Sequence, residues 1–292
     1  MFLWALVQSL INGILMGGTY ALLAVGTTII FGVMRMINFA SGAFIMAGMY
    51  LTWWTFQLLG WEIYALLPVV IVFIGLLSYI CFKLAISKVM TRDRASVIIV
   101  TIGLMDVLQN TALILFGATP LNVPSKLSSS FLVIGDFTFS WIRLIAFFIA
   151  VVFTVIVSLF INKTSYGRCM RATAENEEIA QLLGVNTKFI YVSSWVLGII
   201  LTGVAGVVMS PLYNVTPAVG GVFRSTALIA VVLGGMGNLK GAFISGIALG
   251  IIEALVSVFI APELGPAGMF LLFLIVLRFK PQGLFGKGER IA

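Results

Sequence analysis

The sequence predicts an all-α, polytopic transmembrane bundle, and three observations carry that prediction. Only 9% of its 292 residues are charged, where a soluble domain of this length needs about a quarter to face water. Hydrophobic residues make up 61%, and mean hydropathy is +1.17. Apolar runs repeatedly reach the ~20 residues with which a helix crosses a bilayer, and they do not alternate as barrel strands would.

Spans are expected at 9–31, 40–59, 66–86, 96–117, 142–161, 190–210, 222–236, 241–260 and 266–279. The first follows Met1-Phe2-Leu3-Trp4, which has no basic n-region. Its apolar run from Ile11 to Ile30 exceeds a signal peptide and has no cleavage site, so it reads as a retained helix. The connections alternate in charge. One set holds Arg35, Lys88, Arg92, Arg94, Lys163, Arg168, Arg171, Lys188, Lys240, Arg278, Lys280, Lys287 and Arg290, with Lys83 at a span end on the same side. The other holds only Lys126, Arg143 and Arg224. Fourteen of seventeen basic residues therefore fall on one side, which the positive-inside rule makes cytoplasmic. The N-terminus is expected outside and the C-terminus inside.

The segment 211–240 departs from this regularity. Pro211, Pro217, Gly220 and Gly221 interrupt one span, and Gly234-Gly235-Met236-Gly237 ends the next apolar run early. At about fifteen residues that run is short for a full crossing, so a broken or re-entrant helix is expected, and a total of eight or nine spans. Interrupted segments of this kind line pathways in transporters, because irregular backbone is tolerated only beside protein or water.

Composition also excludes chemistry. The net charge of +7 lies at span ends and is no nucleic-acid footprint. There is no histidine, and Cys81 and Cys169 sit in different segments without metal-ligand spacing. No G-x-x-x-x-G-K-[ST] occurs; the sole Gly-Lys pair, Gly286-Lys287, precedes Gly288. The chain therefore lacks an ATPase site and binds no cofactor of its own, and an intramembrane enzyme has no nucleophile–base constellation to work with.

Two acids fall within spans, Asp106 and Glu253. A charge at the bilayer centre costs about 2.5–3.5 kcal/mol on insertion scales, so such groups face protein or water. Asp106, Gln109 and Asn110 share one helix face, with Thr101 nearby; the face serves an inter-helix network or a binding site. For Glu253 a structural hydrogen bond is favoured over a pathway role, since its charge repels a substrate carboxylate. Asn38, Ser41 and Gly42 open the second span, either as a cap or as a positive helix end that holds a carboxylate. Gly13/Gly17 and Gly246/Gly250 read as close helix contacts. On the outer side the loop 118–141, with Lys126 and Arg143, and the nearby Arg224 suit either an acidic protein partner or lipid headgroups.

The longest polar stretch runs from Gly167 to Lys188, on the basic side. Asn176 is placed to cap a short helix, Glu177 and Glu178 suit its positive end, and Gly184 stops it. Ile179, Leu182 and Leu183 form an apolar stripe at i, i+3 and i+4 on an otherwise polar helix. That stripe docks either on the chain's own spans or in a partner's groove.

Here the sequence resembles a known family. Arg171-Ala-Thr-Ala-Glu-Asn176 with Leu183-Gly-Val-Asn186 is similar to the cytoplasmic loop of permeases of branched-chain amino acid ABC importers. So are Ile37-Asn-Phe-Ala-Ser-Gly42, Leu233-Gly-Gly-Met-Gly237 with Gly241-Ala242, and Phe279-Lys-Pro-Gln-Gly-Leu-Phe285, in the family's order. Ser41 departs from it, since the family often has His there. The resemblance implies a multi-pass permease of the bacterial inner membrane, one domain over 1–292. It implies a second homologous permease, two cytoplasmic ATPase subunits that bind ATP and Mg, and an extracytoplasmic solute-binding protein. It places the coupling function in 163–188, on Arg171, Ala174, Glu175, Asn176, Glu177, Glu178, Ile179, Leu182, Leu183 and Gly184. The competing expectation is an ion- or proton-coupled secondary transporter or channel using Asp106 or Glu253.

Overall fold

The computed structural model describes residues 2–90, 94–125, 127, 130–134 and 137–286. In chain order the helices are α1 (Phe2–Met34), α2 (Ser41–Leu59), α3 (Leu67–Leu84), α4 (Arg94–Phe116), α5 (Trp141–Lys163), α6 (Ser165–Glu175), α7 (Glu177–Leu182), α8 (Thr187–Met209), α9 (Val219–Gly234), α10 (Leu239–Phe259) and α11 (Gly265–Phe279). Each of the nine expected apolar segments is a helix. Seven are long and apolar enough to cross a membrane; α2 and the sixteen-residue α9 are not among them. Between α4 and α5, where only a loop was expected, Phe131–Ile134 (β1) and Phe137–Ser140 (β2) form an antiparallel hairpin.

Two helices, α1 and α8, are buried over most of their length and form the centre of the bundle. Lipid tails are as apolar as leucine, so burial alone gives membrane helices little reason to associate, and close packing must supply it. The α1–α10 seam shows how. A Cβ on Gly246 would lie 2.3 Å from the Ala21 Cα, and one on Gly250 would lie 2.4 Å from the Gly17 Cα. The paired small residues therefore join helices within this chain. Around the other side of α8, Trp195 is fully buried and meets Phe44 of α2 and Phe82 of α3 edge-on or tilted.

Helices alternate in direction, so the bundle has a basic end, where α1 and α5 finish and α6 and α7 lie, and a hairpin end carrying β1 and β2. The interruption expected around 211–240 is present: residues 210–218 turn without helix at the hairpin end, and 235–238 turn again at the basic end. Leu121 and Val215 bridge the first of these turns to the loop after α4.

A second interruption departs from the expected plain connection. Residues 35–40 leave the basic end without helix and run inward, so that α2 starts at depth. Asn38, Ala40 and Ser41 are buried, and Gly42 abuts Gly220 so tightly that a Cβ there would fall 2.0 Å from the Gly220 carbonyl. Non-helical backbone at this depth persists because it is enclosed by protein.

Candidate functional site

The expected polar residues separate into three places. The first is the basic end. Thr164 caps α6 by accepting from the Gly167 N–H at 3.0 Å, and α6 crosses the end of α5, where Arg171 donates to the Ile161 carbonyl. Asn176 ends α6 and caps α7, accepting from the Ile179 N–H at 3.0 Å, while Gly184 has the positive φ that stops the chain there. Ala180 is buried beneath this corner. Ile179, Leu182 and Leu183 are 55%, 87% and 75% exposed, so the apolar stripe does not pack on the chain's own spans.

This corner is tied to the bundle by polar bonds. Glu177 accepts from Gln181 at 3.1 Å, and Gln181 donates to Thr187 of α8 at 2.9 Å. Tyr166 of α6 bonds Ser193 of α8, and burial raises its phenol above the usual value. Arg35 is the connection that sequence reasoning missed. It follows the last turn of α1, and its Nη2 donates to the Ala174 and Glu175 carbonyls at 3.0 and 3.2 Å, capping the negative end of α6. It is the one non-glycine among the described residues with a positive φ, 50°. Met36 and Asn38, just beyond it, are buried. A lone arginine between spans looks in sequence like a topology determinant, and nothing in its spacing marks it as a clasp.

The second place is mid-bundle. Thr101 is buried and bonds back to Ile98, apart from the face carrying Asp106 and Asn110, which the chain leaves exposed. Asn110 bonds the Asp106 carbonyl at 2.8 Å, so that face is not linked to another helix through these two side chains. Asn38 does not cap α2 in the usual way: its Oδ1 accepts from the Ala40 N–H at 2.9 Å, one residue ahead of the helix, and its Nδ2 has no partner. Ser41 bonds back to the Asn38 carbonyl at 3.3 Å. Arg224 lies within α9, not in the connection before it, and reaches α4, where its Nη1 is 2.9 Å from the Met105 Sδ.

The third place is the hairpin end. The Tyr20 and Tyr213 hydroxyls are 3.2 Å apart. Glu253 is half-buried on α10, its Cγ 3.0 Å from where a Cβ on Gly265 of α11 would lie. Arg143 stands at the start of α5, in the wall of a cavity of about 310 Å³ lined also by Gln8, Asn12, Thr138 and Ser140. Lys126 lies outside the described residues. Among the described residues no cluster of His, Cys, Asp or Glu is arranged to hold a metal.

A bundle of long apolar helices with backbone breaks at 35–40 and 210–218, an exposed acid in mid-helix and a polar helical corner at its basic end defines a multi-pass membrane protein. Residues 9–277 match the family described as "Branched-chain amino acid transport system / permease component", and the chain belongs to it. It is 32% identical over 295 residues to the high-affinity branched-chain amino acid transport system permease protein LivH of Escherichia coli K12, covering 97% of this chain and 96% of that one. To the corresponding protein BraD of Pseudomonas aeruginosa it is 31% identical over 296 residues, with the same coverage. Among solved structures, PsaBC from Streptococcus pneumoniae in complex with Fab aligns over 97% of this chain and 92% of its own, at 16% identity and a TM-score of 0.48. The chain is thus a permease subunit of an ABC importer, and the expectation of a self-contained secondary transporter falls.

Proposed function

We propose that this permease carries branched-chain or closely related small amino acids into the cytoplasm, driven by separate ATPase subunits seated at its basic end. The observation that carries the reading is the uncovered stripe of Ile179, Leu182 and Leu183 on a corner otherwise anchored by hydrogen bonds. An exposed apolar stripe on a rigid, capped helix fits a groove in a partner, and the positive-inside rule puts this end in the cytoplasm. The substrate follows the relatives, whose names specify branched-chain amino acids. ATP and Mg belong to the ATPase pair. A second homologous permease completes the membrane unit. A solute-binding protein delivers substrate at the hairpin end, where Arg143 suits an acidic surface.

The test is purification of the tagged permease in mild detergent from its native membrane, followed by reconstitution. ATPase subunits co-purify, and leucine uptake into vesicles requires ATP. A permease that purifies alone and moves leucine without ATP refutes the proposal.

Within this reading Arg35 links the docked corner to segment 36–42, where Met36, Asn38, Ala40, Ser41 and Gly42 are buried. Arg35→Gly suits the positive φ yet removes the guanidinium, so it separates backbone strain from the clasp. Two bonds from a charged donor contribute on the order of 2–3 kcal/mol. The expected result is continued ATP hydrolysis with uptake per ATP lowered about tenfold, that shift being 1.4 kcal/mol. Hydrolysis and uptake that change in parallel show a clasp with no coupling role.

A further inference from the structure

Charges at mid-span must find a partner or water, and two here form no ion pair within the described chain. Asp106 is the thirteenth of the twenty-three residues of α4 and is exposed on a helix whose uncovered residues are mostly apolar, Asn110 and Thr111 apart. Arg224 is the sixth residue of α9, and its one hydrogen bond among the described residues goes to the thioether of Met105, the residue before Asp106. A thioether is a weak acceptor, and a guanidinium has five donors in a planar fork. No ion pair joins the two. Leaving either charge in hydrocarbon costs about 2.5–3.5 kcal/mol on insertion scales, so both belong to a wet or ligand-filled space.

Arg224 also stands where two helices begin. A Cβ on Gly42, the second residue of α2, would fall 2.8 Å from the Arg224 Cβ, and Gly42 touches Gly220 in the first turn of α9. Neither α2 nor α9 has a side-chain cap at its start, so the positive ends of both converge beside the guanidinium. Four residues before Gly42, the Asn38 Oδ1 accepts from the Ala40 N–H, and its buried Nδ2 has no acceptor among the described residues. Arginine, two helix ends and a donor lacking an acceptor all call for an anion, while Asp106 calls for a cation one helix away.

We infer that Arg224 and Asp106 are the poles of a zwitterion site at mid-membrane depth. Arg224, with the starts of α2 and α9, holds a carboxylate, and Asp106 holds an ammonium group. An α-amino acid carries both on one carbon. Its apolar side chain then lies against Val107 and Val222, both exposed on these two helices. This rests on the amino-acid reading above and deepens it: the permease, and not only a delivery protein, recognises the part of the substrate that all amino acids share. The helices leave this face open, and the second permease closes it.

The test is direct binding to the purified permease–ATPase complex, without binding protein. Radiolabelled leucine is competed with unlabelled leucine, with leucinol, which lacks the carboxylate, and with 4-methylpentanoate, which lacks the ammonium. A charged hydrogen-bonded contact contributes about 1.5–3 kcal/mol, so the wild-type complex prefers leucine to either analogue by at least about tenfold. Arg224→Gln abolishes the preference over leucinol but keeps the preference over 4-methylpentanoate, and Asp106→Asn does the reverse. A merely structural role weakens all three ligands together and overturns the site, as does an unchanged preference in both variants. If either variant fails to assemble, the exchanged pair Arg224→Asp/Asp106→Arg is measured, and a complex that hydrolyses ATP yet binds no leucine also overturns it. Wild-type complex that binds no amino acid, or binds with preferences unaltered in both variants, refutes the site alone; absence of ATP-driven leucine uptake in the reconstituted system refutes the amino-acid reading.

Discussion

A permease carrying Ile179→Asp, Leu182→Asp and Leu183→Asp inserts and folds as the wild type does, yet no longer retains its ATPase. The fold survives because the three side chains make little contact with the chain: they are 55%, 87% and 75% exposed. The helix survives because its cap is elsewhere, in the Asn176 side chain and in the Glu177–Gln181–Thr187 bonds. In a partner groove each apolar side chain contributes about 1.5–3 kcal/mol on burial, and each aspartate adds a charge that must be desolvated. The combined loss weakens retention by well over about a hundredfold, since each 1.4 kcal/mol is tenfold. Co-purification from mild detergent reads this directly, with size-exclusion behaviour of the permease as the folding control. A triple variant that retains the ATPase and transports normally shows that the corner docks through other residues. Glu178→Lys, on the same exposed corner, has a smaller effect because rim charges govern encounter more than hold.

Gly246→Leu acts at the opposite level, on folding itself. At that position even a methyl group meets backbone, with the Ala21 Cα 2.3 Å and the Ala21 nitrogen 2.4 Å from an ideal Cβ. Backbone cannot rotate away as a side chain does, so α10 must separate from α1 along the seam that also holds Gly17 and Gly250. Overpacking a core by a few methylenes costs about 1–3 kcal/mol where side chains adjust, and more where they cannot. Loss of the seam removes the packing that holds α10 in a solvent offering no hydrophobic compensation. The expected result is near-complete loss of a monodisperse permease on fluorescence-detected size exclusion. Gly103→Ala, on α4 with nothing within 4 Å, leaves the profile unchanged. A normal profile for Gly246→Leu shows that the α1–α10 approach is not needed for the fold.

Much of the architecture was legible because the bilayer imposes strong local rules. Span positions follow from hydropathy, and each expected apolar segment is a helix within a few residues, apart from α1, whose helix starts at Phe2 and not near residue 9. The 163–188 corner was legible from capping chemistry: Asn176 and Gly184 do what their side chain and missing Cβ allow. The break after Pro211 was legible because proline and glycine are read residue by residue. The break at 35–40 was not, since Ile37-Asn-Phe-Ala carries neither residue type.

Composition, periodicity and motif order by themselves determined that this chain is a helical membrane permease without an ATPase site, and located its polar corner. They did so because cost in a bilayer is local: each residue's transfer energy and each helix's caps depend on near neighbours in the chain. Only the tertiary structure decided that the stripe of α7 faces away from the bundle, that Arg35 clasps α6, and that Arg224, beside the start of α2, reaches Met105 of α4. Those relations join residues more than a hundred positions apart. They depend on which helix packs against which, and in a membrane that choice is made by close backbone approach at glycines whose partners no local pattern names.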